Sequence, residues 1–123
     1  MMFIKRYINE LKNKMCRKIT HNTVQLAGGG ELRFAVGLVY SRESGEVIGR
    51  YAQHAVTSEK YTVECGGEYV GTVIPDGNIC RINSCSKMTY TAKNNTIKDN
   101  EGTVLAWYKG DAVGASAAFL CLK

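Results

Sequence analysis

The chain has 123 residues, of which 45% are hydrophobic and 22% charged, with one proline. That is one domain's worth of chain, able to bury a core; it excludes a disordered chain, a collagen-like repeat and a multidomain enzyme. The net charge of +5 is concentrated at one end. Residues 1–18 hold Lys5, Arg6, Lys12, Lys14, Arg17 and Lys18 against Glu10 alone, whereas residues 19–123 carry ten basic and ten acidic groups. Attraction to phosphate or lipid is therefore expected to act through the N-terminal segment.

Residues 1–22 read as a basic amphipathic helix. Ile4, Ile8, Leu11, Met15 and Ile19 follow the helical period, and most of the lysines and arginines lie off that stripe. Gly28-Gly29-Gly30, after Ala27, reads as a hinge before the body, so the expected organisation is helix 1–22, hinge 27–30 and one β-rich domain 31–123.

From Glu31 onward, composition and alternation both indicate strands. Valine and isoleucine outnumber leucine 18 to 7 in the chain, and six of the seven tyrosines lie here, as pleated, half-buried surfaces favour. Leu32, Phe34, Val36, Leu38 and Tyr40 alternate along one expected strand, Glu31–Tyr40. Further strands are expected over Glu46–Ala52, Lys60–Cys65, Glu68–Ile74, Ile79–Ile82, Lys87–Ala92 (with Met88 and Tyr90 on one face), Thr96–Lys98 and Thr103–Tyr108. Gly66-Gly67, Pro75-Asp76-Gly77-Asn78 and Asn94-Asn95 supply turn chemistry between them. A weak repeat, a turn glycine followed by one polar, two apolar and one small residue, begins at Gly45, Gly67 and Gly102. Such hairpins occur in several unrelated β families, tubby-like barrels among them, so the repeat singles out no family. Asp111–Lys123 reads slightly better as a closing strand than as a helix, because Val113, Ala115, Ala117, Phe119 and Cys121 alternate. The fold class expected is mainly β (α+β): an N-terminal helix, then an antiparallel meander of about eight strands forming a small barrel or sandwich.

No catalytic motif stands out. The five cysteines, Cys16, Cys65, Cys80, Cys85 and Cys121, include no Cys-x-x-Cys pair, so buried free thiols are expected rather than a metal site. A Cys–His dyad would have to use His21 or His54, and Gly114-Ala115-Ser116 lacks the second glycine of a nucleophile elbow. No cofactor motif is present. The chain therefore reads as a non-enzymatic binding or interaction module, with a protein partner or self-association as the expected contact. That contact is expected through the basic residues of segment 1–18 or through an aromatic sheet edge containing Tyr40, Tyr69 or Trp107. Single-stranded nucleic acid or an anionic membrane surface is the alternative partner, and a small ligand-binding barrel or enzyme the rival class. No stretch is long enough to span a bilayer, and a cytoplasmic location is expected.

Overall fold

A computed structural model of the protein describes residues 22–53 and 59–122. The basic helix expected at 1–22, with its six lysines and arginines, lies outside the described residues apart from Asn22. His21, His54 and Cys16 lie outside them too.

Ten antiparallel strands close into a barrel. They are β1 (Thr23–Leu26), β2 (Glu31–Ala35), β3 (Leu38–Ser41), β4 (Val47–Gln53), β5 (Tyr61–Cys65), β6 (Glu68–Asp76), β7 (Ile79–Ser84), β8 (Thr89–Lys93), β9 (Thr96–Asp99) and β10 (Val104–Lys109). Each pairs with the next in sequence, and β1 pairs with β10 to close the ring. Alternation makes the wall two-sided. Leu32 and Phe34 of β2, Cys80 and Ile82 of β7, Tyr90 and Ala92 of β8, and Ala106 and Tyr108 of β10 face inward and are buried, while Arg33, Arg81, Lys93 and Trp107 are exposed.

The lumen is filled by helix α1 (Ala112–Leu122), which touches nine of the ten strands. This corrects the closing strand expected there. Residues 112–122 bear no charge, and their residues from Gly114 to Leu120 are all buried. A helix that is apolar on every side is a buried helix; because every position is apolar or small, alternation at period two carries no information here. Small residues let it thread the barrel. A β-carbon on Gly114 would stand 2.7 Å from Cε2 of Phe34 and from the Tyr51 hydroxyl. Phe119 packs edge-on against Tyr90 at 5.0 Å between ring centres. Asp111 caps the helix: its carboxylate accepts the Gly114 N–H at 3.0 Å.

Other corrections follow from turns. The strand expected over Glu31–Tyr40 is the hairpin β2–β3, turning at Val36-Gly37, whose φ values are +43° and +82°. Phe34 pairs with Val39, both inward, so Tyr40 faces outward instead of sharing a face with Leu32. A β-branched residue is a poor candidate for positive φ, which hides this turn from sequence rules; Val36 is 95% exposed at its tip. The glycines expected to form a hinge are the loop of hairpin β1–β2, held by the Leu26 N–H donating to Gly30 O at 2.9 Å. Met88 lies outside β8 and is half-exposed, whereas Tyr90 is buried. Gly66-Gly67 and Asn94-Asn95 do turn the chain, all four at positive φ. Among the described residues, no helix is long and apolar enough to cross a membrane.

Candidate binding wall

The closed ring has no unpaired strand edge, which corrects the sheet-edge site expected from sequence. What it presents instead is a wall. Two rows of outward side chains cross the strands on the β10–β1–β2–β3 side. In the first, Trp107 opposes Gln25, and Gln25 opposes Glu31; Arg42, just beyond β3, reaches the same Glu31. In the second, Lys109 opposes Thr23, Thr23 opposes Arg33, and Arg33 opposes Tyr40.

These rows border a shallow cavity of about 720 Å³ lined by Trp107, Gln25, Thr23, Lys109, Glu31 and Arg42 among others. A neighbouring depression is lined by Arg33, Tyr40 and Arg42 among others. Arg42 borders both. Trp107 is the chain's single tryptophan and is 50% exposed. Its neighbours on β10, Ala106 and Tyr108, point inward and are buried in the core.

Three cationic side chains, Lys109, Arg33 and Arg42, and one carboxylate, Glu31, stand on these rows. Arg42 meets Glu31 twice, with Nε at 3.1 Å from Oε2 and Nη1 donating to Oε1 at 3.4 Å. This pair neutralises the wall's carboxylate. Lys109 and Arg33 flank Thr23 from either side, so their backbones lie about 10 Å apart, two strand spacings. Thr23 and Gln25 add neutral donors between them.

Of the three aromatic residues expected to bind, Trp107 and Tyr40 are brought to this wall. Tyr69 is not: it opposes Glu64 on β5, which in turn opposes Arg50 on β4, across the barrel. Sequence reading missed Gln25 and Lys109 as partners of Trp107. The parity of β10 carried a signal for Lys109, since Trp107 and Lys109 bracket an inward Tyr108; nothing marked Gln25, because β1 was not expected.

The interior offers different chemistry. Burial pushes the Tyr51, Cys80 and Tyr108 groups upward in pKa, each beside the helix and each also feeling the Asp111 carboxylate. Cys121 is pushed up further, again by burial first. An activated thiol nucleophile needs the opposite shift. Burial therefore leaves Cys80 and Cys121 without activation; Cys65, at the end of β5, is half-buried, and Cys85 is exposed, correcting its expected burial. Among the described residues, no three of His, Cys, Asp or Glu gather as metal ligands. No family model, curated protein or solved structure matches the chain.

Proposed function

We propose that the protein is a non-enzymatic binding module that receives an acidic segment of a partner protein on the wall around Trp107. The observation that carries this reading is the half-exposed Trp107 set in a depression of about 720 Å³, beside Lys109 and a carboxylate already paired with Arg42. Exposed aromatic anchors beside cations are the groups that dominate recognition surfaces. The helix occupies the lumen, which argues against the rival ligand-binding barrel, since such a barrel keeps its cavity inside. The connection also favours an anionic partner. The six basic residues of 1–18 precede β1 in the sequence, and β1 begins at Thr23, which pairs with both Lys109 and Arg33.

Trp107 emission supplies the test. Titration of the full chain with a poly-glutamate peptide should shift and quench the fluorescence, and the effect should weaken as salt rises. Lys109→Glu should remove it. An oligothymidylate or an anionic vesicle that shifts the emission where the peptide does not would replace the protein partner by nucleic acid or membrane. Silence with all three would overturn the wall as the binding surface.

A further inference from the structure

Two half-buried thiols meet at the end of the barrel where helix α1 finishes. Cys65 is the last residue of β5, and Val63 and Tyr61, two and four residues before it, pack into the core. Cys65 therefore points into the lumen. Its cross-strand partner on β4 is Gly49. A β-carbon built on Gly49 would stand 2.6 Å from Sγ of Cys121. The helix thiol thus occupies the place of the side chain that Gly49 lacks. Directly opposed β-carbons of an antiparallel pair lie about 4.5–5.5 Å apart, so this position is immediately beside Cys65.

The hydrogen bonds agree. Sγ of Cys65 donates to the Cys121 carbonyl at 4.0 Å, and Sγ of Cys121 donates to the Glu64 carbonyl at 3.9 Å. The Cys65 thiol thus reaches the main chain of Cys121, and the Cys121 thiol reaches the main chain of the residue before Cys65. Disulfides close between β-carbons about 3.5–4.5 Å apart, and both thiols lie at this one junction of β4, β5 and the helix end. Glycine at position 49 is what opens the space.

We propose that Cys65 and Cys121 are a modification site: a dithiol that a small-molecule disulfide oxidises to a bond tying the last turn of α1 to β5. The Cys65 thiolate attacks one sulfur of the reagent disulfide, forming a mixed disulfide and expelling one small thiolate. The Cys121 thiolate then attacks the Cys65 sulfur and expels the second. Both protein thiol protons pass through solvent to the two leaving thiolates. Two electrons leave the protein pair, and the reagent is reduced to two thiols. Burial holds Cys121 protonated, so the first attack falls to Cys65 and the second step waits on loosening of the helix end. The bond joins residues 56 apart in sequence, a closure that constrains the unfolded chain strongly.

The test is oxidation of the full chain with oxidised glutathione at mildly alkaline pH, followed by non-reducing peptide mapping and thermal unfolding. The expected result is a Cys65–Cys121 crosslink with loss of two free thiols, and a thermal midpoint that rises by several degrees and returns on reduction. Cys65→Ser and Cys121→Ser should each abolish the crosslink and the rise; Cys85→Ser should keep both. Mapping reads the unmutated chain directly, so a variant that folds poorly does not blunt the test. Glutathione retained on Cys65 without an internal crosslink, or pairing only through Cys85 or Cys16, would overturn the proposal.

Discussion

Phe34 of β2 lies against the bare α-carbon of Gly114 in the helix, so close that a β-carbon there would overlap the ring. The contact joins the first turn of the helix to the wall without a side chain between them. Gly114→Ala would gain about 1 kcal/mol of helix propensity. It would also force Phe34 and Tyr51 outward, and overpacking costs about 1–3 kcal/mol. With two side chains displaced, the expected balance is a loss of about 1–2 kcal/mol, read from the midpoint of denaturant unfolding. A gain in stability would mean that the helix sits less deeply than described.

Gly77 tests the wall rather than the plug. It turns the chain between β6 and β7 at φ +66°, and no atom lies within 4 Å of where its β-carbon would be. Gly77→Val therefore meets no neighbour and is charged only for its backbone. The left-handed region costs an L residue about 1–2 kcal/mol, and the denaturant midpoint should fall by that amount.

Alkaline pH should unfold the barrel through its interior. Burial raises the folded-state pKa of Cys80 and Cys121 above the ordinary 9.0, and of Tyr51 and Tyr108 above the ordinary 10.0. Below these ordinary values both states are protonated and stability is intact. Above them the unfolded chain releases protons that the folded chain keeps, so stability falls as pH rises. The thermal midpoint should decline from about pH 9, where the thiols titrate, and more steeply beyond pH 10, where the tyrosines join. Cys80→Ala should flatten the first part of the decline.

Trp107 separates binding from stability. Its ring is half-exposed and anchors no part of the core, so Trp107→Ala should change unfolding free energy by no more than about 0.5 kcal/mol. Binding of an acidic peptide, followed by calorimetry since the fluorophore is gone, should weaken about tenfold or more, as loss of a central aromatic anchor does.

Much of the wall was legible in the residues. Gly66-Gly67, Asn94-Asn95 and Gly77 each announced positive φ through their chemistry, and alternation placed β5, β7 and β10 within a residue or two at most boundaries. The repeat at Gly45, Gly67 and Gly102 marks β4, β6 and β10, which all rise from the same end of the barrel. What stayed hidden had physical reasons. A valine at positive φ disguised the β2–β3 turn. The four residues of β1 are too few to show a period. Residues 112–122 are apolar or small at every position, so neither period two nor period 3.6 stands out, and only their complete lack of charge pointed to full burial. The wall site was half visible for the same reason: Trp107 and Tyr40 were identified, but the strand that joins them, β1, was not.

The helix in the lumen also dictates an order of events during synthesis. All ten strands leave the ribosome before the segment that fills them, and the ring closes only when β1 finds β10, some eighty residues later in the chain. A nascent chain must therefore wait with its inward faces, Phe34, Val63, Ile82 and Ile97 among them, open to water. Slow, long-range closure of this kind exposes apolar strands to one another. Until translation delivers the helix, the barrel therefore lacks the segment that fills its lumen.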